Sequence, residues 1–280
     1  MTRFSLRARW FSLLASLVAT SAVVAFTSTA PAAAVTSYPY PTLGLSPVGA
    51  NDWECAPTAR RPYPAVIVHG TFGDQRSLLD RLSFSLERAG FCVFAVDYGN
   101  RATGPIAESA EQLRRFVARV REATGAAKVE VVGHSQGGMM PRYWIKNLGG
   151  AAVVEDLVGL APSNHGTTVQ GSFGFGDRCV ACDQQQAGSE FLTALNDGDE
   201  TPGRVDYTQV VTTFDEVVVP YTSGFLMPGR RSTNITLQDR CPVDLAEHLT
   251  IPLDRQAIRW VLNAFTREGP ADPEARIGCL

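Results

Sequence analysis

Lysine is almost missing from this chain: Lys128 and Lys146 are the only two in 280 residues. The remaining basic side chains are arginines, and no Lys/Arg-rich block interrupts a formal net charge of −3. A dedicated nucleic-acid binder, which needs a basic face for the phosphate backbone, is thereby excluded. Internal repeats and low-complexity linkers are absent too. The 25 glycines and 17 prolines follow no period, and heptad residues are not enriched, so collagen-like and coiled-coil architectures fall away. What remains is a composition of 45% apolar and 19% charged residues, normal for a globular protein and too apolar for a mainly disordered one.

Acidic residues are lacking from the start of the chain, where none precedes Asp52. Arg3, Arg7 and Arg9 form a positive segment, followed by an apolar stretch from Trp10 to Phe26 diluted by Ser and Thr. That stretch is too short and too weakly apolar for a stable membrane span, and small residues follow it up to Ala32-Ala33-Ala34. Residues 1–34 are therefore expected to be a secretory signal cleaved after Ala34, with a retained anchor as the alternative. Residues 1–34 hold no twin-arginine pair, which favours the general export route. Removing 34 of the 280 residues leaves 246, and losing three arginines takes the charge from −3 to −6. Residues 35–280 suit one α/β domain with a single core, expected to be a secreted, extracellular monomer.

Export bears on the cysteines. All six (Cys55, Cys92, Cys179, Cys182, Cys241 and Cys279) lie after the leader, and in an oxidising compartment an even number implies three disulfides. Fifteen pairings exist; order along the chain suggests Cys55–Cys92, Cys179–Cys182 and Cys241–Cys279. The last would pin the C-terminus, a constraint worth about 2–4 kcal/mol. The Cys-Val-Ala-Cys pair resembles a redox dithiol or half a zinc site. No second Cys/His pair at ligand spacing exists, so a structural bridge is the better reading.

Residues 35–64, rich in Pro and Tyr, read as an extended lead-in. Beyond them apolar runs and helical periods alternate. Ala65–His69, Phe91–Asp97, Lys128–Val132 and Val153–Leu160 read as buried strands, and Tyr207–Thr213 and Asn234–Leu237 as two more. Residues 75–89, Ile106–Val120, Met139–Asn147 and Pro252–Phe265 read as helices. In the second of these Ile106, Ala110, Leu113, Val117 and Val120 recur every three or four residues, with Arg114, Arg115, Arg119 and Arg121 toward solvent. Alternation of this kind implies right-handed crossovers and a mostly parallel sheet with helices on both faces.

The chemistry points to Gly133-His134-Ser135-Gln136-Gly137. A strand runs into this motif and a helix leaves it, the geometry of a nucleophile elbow. The serine must occupy a strained turn, and the glycines admit neighbouring chains that a Cβ would block. Oγ of Ser135 is then lifted beside a helix N-terminus, where the Gln136 amide faces developing negative charge.

Taken together, Val68-His69-Gly70-Thr71-Phe72-Gly73, Gly133-His134-Ser135-Gln136-Gly137-Gly138, Thr213-Phe214-Asp215-Glu216 and Glu247-His248-Leu249 resemble the secreted bacterial lipases of the α/β-hydrolase superfamily, close to the class 2 lipases. The resemblance implies an α/β-hydrolase fold, a Ser…Asp…His order and no cofactor, with a structural calcium ion left open. It carries the second oxyanion donor over to the Thr71 amide, with Phe72 as the neighbouring candidate. Of the four histidines, only His248 follows the last strand and suits the general base; His69, His134 and His165 are expected to be structural. Asp215 follows the Tyr207–Thr213 run and is the expected acid, with Asp239 as runner-up and Glu216 and Asp206 weaker. Residues 165–203 form a loop-rich insertion with Gly171, Phe173, Gly174, Phe175 and Gly176, read equally as a mobile lid or as a rigid cap. Tyr221, Phe225 and Leu226 are candidates for an apolar pocket. The implied reaction is hydrolysis of lipid esters such as triacylglycerols, at an oil–water interface, through an acyl-enzyme on Ser135. The rivals are a short-chain carboxylesterase or polyesterase, an acyltransferase with the same triad, and a catalytically dead binding protein.

Overall fold

The computed structural model describes residues 44–169 and 179–279. The expected leader lies outside the described residues, as do the glycines and phenylalanines at 171–176.

Six strands form one sheet: β1 (Ala65–Val68), β2 (Val93–Val96), β3 (Val129–His134), β4 (Val154–Leu160), β5 (Asp206–Val211) and β6 (Ser232–Thr236). Their order is β2-β1-β3-β4-β5-β6, and every neighbouring pair is parallel. The helices between them are α1 (Asp80–Arg88), the short distorted α2 (Gly99–Ala102), α3 (Ile106–Thr124), α4 (Gln136–Asn147), α5 (Val180–Gln184), α6 (Glu190–Asn196), α7 (Leu237–Arg240) and α8 (Arg255–Phe265).

Strand periodicity divides the core. Val66 and Val68 face one layer with Phe94, Val131 and Leu157, where the α3 residues Ile106, Leu113 and Val117 cover them. Ala65 and Ile67 face the other layer, with Val132, Val158 and Val210 under α1 and α8. Both faces are thus dry, as the unbroken β-branched runs require. Each large side chain buried this way contributes about 1.5–3 kcal/mol. The α3 arginines at 114 and 115 pair with Glu111 at the surface, and Arg119 lies over the ring of Trp53.

The boundaries moved where side chains intervene. Helix α1 starts at Asp80 rather than at residue 75, because Asp74 Oδ1 accepts from the amides of Arg76 and Ser77 and holds that stretch as a turn. Helix α4 starts at Gln136, three residues before the expected Met139. Past β6 the chain turns at once into α7, so Asp239 sits on an exposed helical turn and not at a strand end. The lead-in is less free than expected: Asn51 pairs with the β2 backbone, its amide donating to Val93 O and its Oδ1 accepting from Ala95 N.

Three disulfides are present, Cys55–Cys92, Cys179–Cys182 and Cys241–Cys279. The first ties the lead-in to β2 and the last ties the C-terminal segment to the end of α7.

Candidate active site

All parallel strands deliver their carboxyl ends to one edge. There β1 leads to Gly70 and Thr71, β3 to Ser135, and β5 to the turn carrying Asp215. Open α/β sheets bind their ligands at this edge.

Ser135 sits between β3 and α4 at φ 56°, ψ −123°, a strained conformation for a residue with a Cβ. The Ser135 amide donates to Leu160 O at 2.9 Å and anchors the turn on β4. A Cβ on Gly133 would overlap the Gly137 carbonyl, and one on Gly137 would overlap the carbonyls of Val68 and His69. The two glycines are thus required by backbone packed on backbone. Helix α4 begins immediately after Ser135 and has no acidic residue in its first turn, so its free amides and positive end face the serine.

His248 Nδ1 lies 2.9 Å from Asp215 Oδ2, and both side chains are buried. The other carboxylate oxygen, Oδ1, accepts from the amides of Val217 and Val218 at 3.0 and 2.7 Å. These bonds fix the carboxylate plane, which in turn fixes the imidazole tautomer with Nε2 free of the proton. Of the alternative acids, Asp239 and Glu216 are exposed. Asp206 lies at the opposite end of β5, paired with Arg231 at 2.8 Å. No hydrogen bond joins Ser135 Oγ to His248 among the described residues; in unliganded sites such bonds are often long and tighten with substrate.

The other histidines are spent on scaffold. His134 Nε2 donates to the carbonyl of His248 at 2.8 Å. Burial first, and then the neighbouring His248, hold its pKa down to about 3. His69 stacks on Tyr98, and its pKa is pushed down to about 4 chiefly by burial. His165 bridges Glu200 Oε1 and Ser223 O.

The loop after β1 separates the two oxyanion candidates. The Phe72 amide is committed to Arg101 O at 2.8 Å, and the Arg101 guanidinium grips Phe72 O in return. Among the described residues the Thr71 amide carries no such commitment. Its hydroxyl oxygen accepts from Gln136 Nε2 at 3.0 Å and from Gln185 Nε2 at 3.1 Å.

Ser135 and His248 both line a cavity of about 250 Å³, whose wall includes Thr71, Gln185, Val218 and Leu249. Tyr221, Phe225 and Leu226 do not line it. Leu226 belongs to the core, and the other two rings pack edge to face on each other. The described part of the 165–203 insertion supplies Thr167, Cys182 and Gln185 to the cavity. Nothing in the local sequence marked Gln185. The apolar run Val217-Val218-Val219 after Asp215 was a usable signal for the wall.

Among the described residues no group of three or more His, Cys, Asp or Glu could hold a metal ion, and no helix is long and apolar enough to cross a membrane.

A family model described as lipase (class 2) matches residues 62–260. A triacylglycerol lipase of Pseudarthrobacter phenanthrenivorans is 35% identical over 88 residues, covering 29% of this chain and 27% of that protein. One of Pseudomonas fragi is 30% identical over 117 residues, covering 38% and 36%. The chain thus spans about a quarter to a third of the length of these relatives. Among solved structures, Aspergillus fumigatus lipase B superposes with a TM-score of 0.66 at 20% identity, covering 82% of this chain and 57% of that one. Mature Bacillus licheniformis lipase BlEst2 gives 0.55 at 16%, covering 70% and 88%. At such identities the superpositions speak for the fold alone.

Proposed function

The chain belongs to the class 2 lipases, with an α/β-hydrolase fold, and we propose that it is an exported serine ester hydrolase acting on triacylglycerols and related lipid esters. The observation that carries this reading is the buried Asp215–His248 pair sharing a cavity with a serine held on a strained strand-to-helix turn.

In this reading His248 Nε2 takes the proton of Ser135 as Oγ attacks the ester carbonyl carbon. The carbonyl oxygen gathers the negative charge and receives the amides of Thr71 and Gln136, donors aimed before the reaction begins. The imidazolium, steadied by Asp215, then passes its proton to the departing alcohol and leaves an acyl-enzyme. Water, deprotonated by His248, attacks the acyl-enzyme, and the carboxylic acid leaves as Ser135 regains its proton. No step calls for a cofactor. Residues 1–34 act as a cleaved leader, residues 35–280 as one catalytic domain working as a monomer. The three disulfides suit an oxidising, extracellular setting.

Cavity size favours a second reading, a preference for short acyl chains: about 250 Å³ is below the roughly 300–1,000 Å³ of drug-sized ligand sites. A chain-length series from emulsified tributyrin to emulsified triolein, beside soluble p-nitrophenyl acetate, tests both. Hydrolysis of the emulsions is expected. Activity confined to the soluble acetate would remove the lipase reading in favour of a carboxylesterase.

A further inference from the structure

The Thr71 hydroxyl receives two amide N–H groups from different parts of the chain. Gln136, on the nucleophile helix, spends one N–H on Thr71 Oγ1 and the other on Ala102 O at 2.8 Å. Gln185, from the insertion, does the same with Thr71 Oγ1 and with Ala181 O at 3.0 Å. Both lone pairs of the hydroxyl are therefore used, and the Thr71 side chain is clamped from two sides.

The Gln185 amide has no freedom to turn. Its Oε1 accepts from Ser163 Oγ at 2.8 Å, so donor and acceptor ends are fixed by their partners. Its backbone is equally tied: the Gln185 amide donates to Ala181 O, and its carbonyl accepts from Thr167 N at 3.0 Å. Ahead of it, α5 is closed by the Cys179–Cys182 bridge. That helix is fastened to the main body twice, by Ala181 N on Thr103 O and by Gln184 Oε1 accepting from Ile106 N at the start of α3.

We infer that Gln185 is a positioning residue: it holds the Thr71 loop, and with it the Thr71 amide, at the distance from Ser135 that the oxyanion requires. The disulfide-closed segment carrying it is a fixed strut of the oxyanion site. The inference rests on the ester-hydrolase reading. A polar side chain held this way acts on the transition state, where a donor misplaced by a fraction of an ångström loses its stabilisation, and has little hold on ground-state binding.

The test uses the full-length enzyme, p-nitrophenyl butyrate, separate kcat and KM values, and thermal melting. Gln185→Leu is expected to lower kcat about 10- to 100-fold with KM within about threefold. Gln185→Glu keeps the Ser163 bond but loses both donors; it should behave alike and serves where the leucine variant does not fold. In a Thr71→Ser background, which retains the acceptor, Gln185→Leu should cost as much as in the unmodified enzyme. In a Thr71→Val background it should cost almost nothing further. An unchanged kcat, a change in KM alone, or an equal loss in the Thr71→Val background overturns the inference. Failure of the unmodified enzyme to cleave any ester counts instead against the ester-hydrolase reading.

Discussion

The side chain of His134 holds the backbone of His248: Nε2 of the first lies 2.8 Å from the carbonyl oxygen of the second. The two rings stand 4.9 Å apart. The residue before the proposed nucleophile, Ser135, thus supports the loop that carries the proposed base, His248. Because burial keeps His134 neutral, with a pKa near 3, it acts as a fixed N–H donor throughout the working pH range. His134→Leu is expected to lower kcat about 10- to 100-fold, with His134→Gln, which can still donate, recovering part of it. Steady-state kinetics on a soluble ester decides this, and equal rates for the leucine variant and the unmodified enzyme would contradict it.

Asp215→Asn keeps the size of the acid and the acceptor for the Val217 and Val218 amides, but no longer favours the tautomer with Nε2 free. A loss in kcat of about ten-thousand-fold is expected, with melting temperature little changed. A loss below about tenfold would place the acid elsewhere.

The elbow glycines give a stability prediction. Gly133→Ala and Gly137→Ala each push a methyl into backbone, which has no soft end to give way. Overpacking of this sort costs about 1–3 kcal/mol or more. Gly229→Ala, in open space, is the control and should leave the melting temperature unchanged. Alanine variants that melt like the unmodified enzyme would contradict the packing argument.

Stability should fall on both sides of a middle pH. His69 and His134 have folded pKa values near 4 and 3 against 6.5 when free. Below pH 6.5 the unfolded chain therefore binds protons that the folded one refuses, and stability drops from there toward pH 3. Near the amino ends of β3 and β4, Glu130 Oε2 accepts from the amide of Asp156, and burial raises both carboxyls, Glu130 to about 8 from 4.5. Glu155, Lys128 and Asp206 with its partner Arg231 surround the pair. Between pH 4.5 and 8 the folded chain keeps a proton that the unfolded one gives up, so this pair lowers stability as pH rises. Glu130→Gln should flatten the alkaline limb and raise the melting temperature at pH 8, by roughly 2–4 °C per kcal/mol recovered. An alkaline limb identical in the variant would contradict this assignment.

Local patterns carried most of the frame. Strand runs such as Ala65–Val68 and the three-four spacing of α3 report burial directly, so these elements stand where their periods put them. The start of α4 was less legible, because Gln136-Gly137-Gly138 is poor helix sequence; packing against β1 and the strained serine override propensity there. Asp239 misled because β6 turns straight into a helix. Gln185 was invisible for a different reason. Its importance lies in reaching Thr71, 114 positions away, and no spacing or motif near residue 185 encodes that contact.

A fluorophosphonate ester tests Ser135 as the nucleophile most directly, since an activated serine displaces its fluoride. Incubation of the full-length protein with the reagent, digestion and mass spectrometry should find one phosphonate, on the peptide containing Ser135, with parallel loss of esterase activity. In Ser135→Ala the label should vanish. A label that persists in that variant, or that sits on another residue of the unmodified protein, would contradict the account.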